Sequence, residues 1–420
     1  MKVFFDTVGC RLNQAEIEHL AGEFRAAGHT IIETADGADL VVLNTCAVTA
    51  AAASDSRQKV RQAQRAGAQQ IVITGCLATL EPAESGALPG VSLVIPNAEK
   101  SRIPAILSGR AELFELEPLA RQPLPGARKR TRAFIKAQDG CNNFCTFCVT
   151  RVARGGAVSV PREKVLQEVA AAVAGGTREV VLTGVHLGSW GWGMDGNASL
   201  TELITFILEN TSIERLRLSS TEPWDLEDRF FALWQNARMC RHLHLPLQSG
   251  SAGVLKRMAR RTTPAEFRGL ILKARELIPG LAVTTDIIVG FPGETEEEFR
   301  ESLEFVKEIG FSGGHVFKYS ARPGTAAEKL PGRIHGSVAR IRGQAHPRPG
   351  EWVQPAGQVQ EHRHPRTPAR LTRRTKQFRP RKRKRERRPR KRKKRKKARR
   401  VSIRTRARGP SKKAFFRAGR

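Results

Sequence analysis

Cys141-Asn142-Asn143-Phe144-Cys145-Thr146-Phe147-Cys148 sets three thiols at spacings of four and three residues. Three thiolates so spaced fit three corner irons of one cubane 4Fe-4S cluster and leave the fourth iron without a protein ligand, open to bind something else. A zinc site would want a fourth Cys or His close by, yet the next His is His186 and the next Cys is Cys240. Chance clustering of thiols is the remaining bland reading, and the cluster is preferred to both.

Outward from the triad, strands and helices alternate. Residues 133–137 form the strand that delivers the triad onto a loop. Strands at 179–183, 215–219, 242–247, 282–289 and 315–319 follow, with helices at 161–174, 200–209, 226–235, 264–277 and 294–309. Six such βα units fall short of a closed eightfold barrel and predict a partial barrel with an open side for a large substrate. The loops after these strands, 183–188, 219–223, 248–251 and 286–294, share the triad's face. Each alone is ordinary βα loop chemistry; together on one face they line a site, and Gly184 lets backbone approach a small polar ligand.

Toward the N-terminus the same alternation builds a smaller unit. Strands at 2–8, 40–43 and 70–74 run into Gly9-Cys10, Asn44-Thr45-Cys46 and Gly75-Cys76, with helices from Asn13 up to Gly28 and over 54–66. This predicts a doubly wound parallel sheet over residues 1–115. Each Cys sits just past the C-terminal end of a strand, and in a parallel sheet those ends share one edge. A single such Cys is more often a small core residue; three in the same context favour a second three-thiol cluster site.

The fold class is therefore α/β, an N-terminal doubly wound domain plus a partial (β/α)6 barrel. Residues 116–131, rich in Pro and basic residues, read as a linker, 132–335 as the barrel, and 336–420 as a disordered, low-complexity basic tail. Seven Cys with neither a signal peptide nor an 18-residue apolar run point to a reducing cytoplasm and no membrane. The net charge of +33 is a tail property: 31 of the 73 Lys and Arg and two of the 40 Asp and Glu lie in residues 361–420, leaving 42 against 38 before it.

The triad resembles that of the radical S-adenosylmethionine (SAM) superfamily. With Val8-Gly9-Cys10-Arg11-Leu12-Asn13-Gln14, Asn44 to Thr49, Thr74-Gly75-Cys76, Leu245 to Ser251 and Asp286 to Thr295, residues 1 to about 332 resemble its methylthiotransferase family. The resemblance implies two 4Fe-4S clusters, an auxiliary one on Cys10, Cys46 and Cys76 and the SAM-cleaving one on Cys141, Cys145 and Cys148. It implies SAM, with Gly184, Glu222, Gln248 and Asp286 as contacts, a reductant such as flavodoxin or ferredoxin, and a sulfur donor. The segments 9–14, 56–58, 183–188, 315–317 and 322–325 resemble the branch acting on tRNA bearing N6-threonylcarbamoyladenosine (t6A). Its product is 2-methylthio-t6A at adenosine 37. The alternatives are the branches acting on isopentenyladenosine tRNA or a ribosomal protein aspartate, or a basic, non-catalytic RNA-binding iron-sulfur protein.

The resemblance stops near Gly332. Family members continue into TRAM, a small RNA-binding β-barrel, where this chain has basic runs such as 381–385 and 391–397. Such a tail would neutralise phosphates without sequence preference, or it is an out-of-frame translation replacing that domain; the abrupt loss of pattern favours the second. After Cys148 an Ile-Pro-Tyr type segment is missing while Ala153-Arg154-Gly155 survives. Cys240, His242 and His244 read as ordinary core or strand residues. Trp190 and Trp192 read equally as loop packing or as a stacking platform for a base.

Overall fold

The computed structural model describes residues 1–108, 132–194 and 198–347. The expected linker and residues 348–420 of the expected tail lie outside the described residues. No helix among the described residues is long and apolar enough to cross a membrane.

The N-terminal sheet holds β1 (Lys2–Thr7), β2 (Thr30–Ile31), β3 (Leu40–Thr45), β4 (Gln70–Gly75) and β5 (Val91–Ile95), all parallel in the order β2-β1-β3-β4-β5. Between them run α1 (Arg11–Ala26), α2 (Ala50–Arg65), α3 (Cys76–Leu80) and α4 (Pro82–Gly86), and α5 (Ile103–Ser108) follows β5. Every residue of β3 is buried, as a central parallel strand covered on both faces demands. Strand order reverses between β1 and β3, the switch point at which open α/β sheets bind ligands. Cys10 follows the first of these strands and Cys46 the second.

The second unit opens with β6 (Arg132–Lys136), the short antiparallel pair β7 (Gln138–Asp139) and β8 (Val158–Ser159), and α6 (Thr150–Arg154) between them. The barrel continues through α7 (Arg162–Ala174), β9 (Glu179–Thr183), α8 (Leu200–Asn210), β10 (Arg215–Leu218), α9 (Asp228–Phe231) and β11 (His242–His244). It closes with α10 (Ala252–Arg257), α11 (Pro264–Leu277), β12 (Ala282–Val289), α12 (Glu296–Ile309), β13 (Gly313–Lys318) and α13 (Gly336–Ala345). The ladders β10-β9-β6 and β11-β12-β13 are parallel. Parallel bridges Leu216 to Met239 and Ser220 to His244 join them into the expected six-stranded partial barrel.

Local sequence explains several boundaries. Ser199/Glu202, Thr263/Glu266 and Thr295/Glu298 form reciprocal capping boxes that start α8, α11 and α12. The strand expected over 242–247 is only three residues long, because Pro246 has no N–H to donate; Leu245 and Gln248 still donate to Thr284 and Asp286. The helix expected over 226–235 is split into α9 and a 3-10 turn at Ala232–Gln235, where the Trp234 indole N–H bonds the Cys240 carbonyl.

One boundary is corrected. The tail was expected to begin at 336 with nothing able to order it, yet Gly336–Ala345 is helical. Its anchor is an ion pair: Arg342 Nη1 lies 2.6 Å from Glu294 Oε1, both side chains buried. A ten-residue helix with only Ala339 and Arg342 buried carries little apolar periodicity for a sequence reading to detect.

Candidate functional site

At the N-terminal sheet edge Cys46 and Cys76 are buried and Cys10 is exposed. Burial pushes the Cys46 thiol up to about 11, and the neighbouring Cys76 and Cys10 add repulsion, so the three thiols stand within reach of one another's charge. Gly9 makes the approach feasible: at φ +104° a Cβ there would lie 2.6 Å from Cys46 Cβ and 2.7 Å from its Sγ. Asn13 Oδ1 sits 3.8 Å from Cys10 Sγ, and Asn97 Nδ2 sits 3.9 Å from Cys76 Sγ. A cleft of about 390 Å³ opens beside this edge, lined in part by Thr7, Gly9 and Gln58.

Below these thiols lies a buried ion network. Glu16 accepts from Lys100 Nζ at 2.5 Å, from Asn44 Nδ2 at 3.1 Å and from both terminal nitrogens of Arg154 at 2.8 and 3.1 Å. Burial opposes its ionisation, but Lys100 and Arg154 outweigh it and hold the carboxyl well below the usual range. Arg154 also reaches Asp139 at 2.9 Å. The network joins α1 of the first unit to the loop system that carries the central triad.

The central triad is held by backbone and by charge. Cys141 N–H donates to the Gly155 carbonyl, Asn143 N–H donates to Cys141 Sγ at 3.3 Å, and Cys148 N–H donates to the Cys145 carbonyl at 3.0 Å. Burial pushes the Cys145 thiol up to about 11, opposed by Arg260, whose Nη1 is 3.7 Å from Cys145 Sγ. His186 Nε2 lies 2.7 Å from Asp225 Oδ2, and its Nδ1 lies 3.4 Å from Asn143 Nδ2. Burial would lower its pKa, but Asp225 and the nearby Cys141 hold it up at about 9. Among the described residues no three His, Cys, Asp or Glu side chains converge on a single-ion site.

The other four expected contacts take different places. Gly184 lies against Gln138, where a Cβ would stand 2.8 Å from Oε1; that oxygen accepts the His186 N–H at 2.8 Å. Glu222 is paired with Arg260 at 3.2 and 2.7 Å, and Arg260 also donates to the Pro246 carbonyl. Gln248 has φ +75°, a conformation unusual for a residue with a Cβ, and is bridged to β12 on both sides. Asp286 stands between His244 and His315, each at 3.3 Å. Trp190 is buried with its indole N–H on the Val160 carbonyl, so its role is packing, whereas Trp192 is 51% exposed.

The donor sets fit the expected groups. Each thiol triad offers three soft sulfur ligands, the N-terminal ones at strand ends and helix starts and the central ones on a loop, which would suit a cubane with one open iron. On the barrel face the Ser219, Thr221 and Ser251 hydroxyls are buried with no hydrogen-bond partner among the described residues. Such orphaned groups cost stability unless a bound polar ligand satisfies them, and the amino, carboxylate and ribose groups of SAM would do so. Sequence reading missed Arg260, Gln138, Asp225 and the Arg154–Glu16 network. Only Arg154 carried a prior signal, as part of the surviving Ala153-Arg154-Gly155.

Comparison with known proteins agrees with this layout. Residues 135–306 match the radical SAM superfamily and residues 2–95 match the uncharacterized protein family UPF0004. The threonylcarbamoyladenosine tRNA methylthiotransferase MtaB of Bacillus subtilis (strain 168) is 39% identical over 355 residues, covering 81% of this chain and 78% of that protein. MtaB of Thermotoga maritima is 38% identical, covering 81% and 80%. The tRNA-2-methylthio-N(6)-dimethylallyladenosine synthase of Paracoccus denitrificans is 37% identical, covering 81% and 79%. Among solved structures, the radical S-adenosylmethionine methyltransferase TsrM from Kitasatospora setae superposes with a TM-score of 0.58 at 17% identity, covering 78% and 76%, a likeness of fold. With two ordered thiol triads on these two units and relatives this similar along four-fifths of its length, the chain belongs to the radical SAM methylthiotransferase family.

Proposed function

We propose that this protein converts N6-threonylcarbamoyladenosine 37 of tRNA to its 2-methylthio derivative, using two 4Fe-4S clusters and SAM. The carrying observation is the 38–39% identity to threonylcarbamoyladenosine tRNA methylthiotransferases across both thiol-bearing units. In this reading Cys141, Cys145 and Cys148 hold the SAM-cleaving cluster, and Cys10, Cys46 and Cys76 hold the auxiliary one. When bound, these groups supply the radical cleavage of SAM and the sulfur and methyl transfer that acid–base chemistry does not provide at an aromatic C2.

The chain's own residues bind, orient and exclude water. Gly184 lets backbone close on the SAM amino group, and the Ser219, Thr221 and Ser251 hydroxyls find partners on the same ligand. Gln248 and Asp286 also contact SAM in this reading, while Glu222 acts through Arg260, which it holds against Cys145. A reductant such as flavodoxin or ferredoxin delivers electrons, a sulfur donor replenishes the transferred atom, and the reaction takes place in the cytoplasm.

The dimethylallyladenosine branch is the second reading, favoured by the 37% identity to the Paracoccus enzyme. The full chain, reconstituted with iron and sulfide and supplied with SAM and dithionite, separates them. Methylthiolation of tRNA carrying t6A and not of tRNA carrying dimethylallyladenosine is the expected result; the reverse preference overturns the acceptor assignment. Absence of 5'-deoxyadenosine would mark a non-catalytic RNA-binding protein instead.

A further inference from the structure

The short helix α6 begins two residues after Cys148 and ends inside the other thiol site. Ala153 packs with Ala47, Ala53, Cys76 and Leu77. Asn97 Nδ2 lies 2.9 Å from the Ala153 carbonyl and 3.9 Å from Cys76 Sγ, so one amide touches both the helix and an auxiliary thiol. On the opposite side, Asn13 Oδ1 accepts from Arg154 Nη2 at 2.6 Å while Cys10 Sγ stands 3.8 Å from the same oxygen. The Arg154 side chain is 2% exposed.

Stability alone is a poor account of this arrangement. Desolvating each ion costs several kcal/mol, and a buried ion pair replaced by well-packed apolar groups is often neutral or more stable. The charge balance points elsewhere. Arg154, Lys100 and Lys136 face Glu16 and Asp139, so three cations meet two carboxylates and a positive excess lies under the thiols. A cluster on three thiolates gains negative charge on reduction, and its potential responds to nearby charge and to hydrogen bonding around its sulfurs.

We infer that Arg154 is a positioning residue coupling the two cluster sites: it fixes the N-terminal thiols against the loop bearing the central triad and keeps the auxiliary cluster easier to reduce. The inference rests on the two-cluster reading proposed above. A positive charge one asparagine away from Cys10 favours the more negative, reduced state. Arg154 itself lies on α6, six residues after Cys148, so the two sites keep a fixed relation.

The test is a redox titration of the full-length chain, followed by electron paramagnetic resonance, in a C141A/C145A/C148A background where only the auxiliary site is loaded. Arg154→Gln keeps a donor for Asn13 but removes the charge, and it shifts the midpoint to more negative potential; Arg154→Lys restores most of it. Glu16→Gln, which removes the main counter-charge, shifts the midpoint the opposite way and serves where R154Q holds no cluster. Unchanged midpoints in R154Q, or in E16Q where it is the variant read, overturn the inference. If the background chain with Arg154 intact binds no 4Fe-4S cluster, the two-cluster reading itself fails, and this inference with it.

Discussion

Arg260 and Glu222 form a two-point ion pair, Nη1 to Oε1 at 3.2 Å and Nη2 to Oε2 at 2.7 Å, with the same Nη1 3.7 Å from Cys145 Sγ. The arginine side chain is 1% exposed, so it depends on this carboxylate for compensation. Removing one partner of a buried pair costs about 3–5 kcal/mol because the other charge is stranded. Glu222→Ala is expected to lower the thermal midpoint and reduce iron at the central triad, while Glu222→Asp keeps part of both. Iron content and melting of the two variants check this; wild-type values for E222A would show that Glu222 does not act through Arg260.

Gly9→Ala is expected to empty the auxiliary site selectively. The added Cβ meets Cys46 at 2.6 Å with φ at +104°, so both contact and backbone conformation resist it. Iron should fall by about half, from two 4Fe-4S clusters to one, with 5'-deoxyadenosine formation retained and methylthiolation lost. Full iron loading in G9A would refute the placement of that cluster.

The central thiols could be read from their own spacing in eight residues, and the N-terminal thiols from their place at the ends of parallel strands, which topology brings to one edge. What stayed hidden depends on partners far along the chain. Arg154 meets Glu16 across 138 residues, Arg260 meets Glu222 across 38, and His186 meets Gln138 across 48. His244 read as an ordinary strand residue, yet it reaches Asp286 because β11 pairs with β12. A two-residue strand such as β2 and an ion-pair-anchored helix such as α13 carry too little periodicity to read.

Trp192 presents half of its indole beside a cleft lined by Trp224, Arg229 and Arg261. Stacking of a base on an aromatic ring is worth about 1–3 kcal/mol, which predicts roughly tenfold or greater weakening of tRNA binding in Trp192→Ala. Trp192→Phe should retain much of the affinity. A filter-binding series at fixed salt measures it; equal affinity in W192A would place the anticodon loop elsewhere.

His346 caps α13, is buried against Phe299, and has neither ring nitrogen hydrogen-bonded among the described residues. Burial, aided by Lys307, pushes its pKa down to about 4 from an unfolded value near 6.5. The unfolded chain therefore takes up the proton first, and stability is lost as pH falls from about 6.5 to about 4, by roughly 3 kcal/mol in all. His346→Phe should flatten that part of the pH–stability curve, as read by urea unfolding at a series of pH values; an unchanged slope would contradict a buried neutral imidazole.

The most direct test of the central claim is mass spectrometry of tRNA nucleosides from a strain lacking its own t6A methylthiotransferase, with and without this gene. The account predicts that 2-methylthio-t6A appears and t6A falls when the full chain is expressed, and that neither changes when Cys10 or Cys141 is replaced by Ala. Unmodified t6A with the intact chain, or methylthiolation that survives either cysteine substitution, would contradict it.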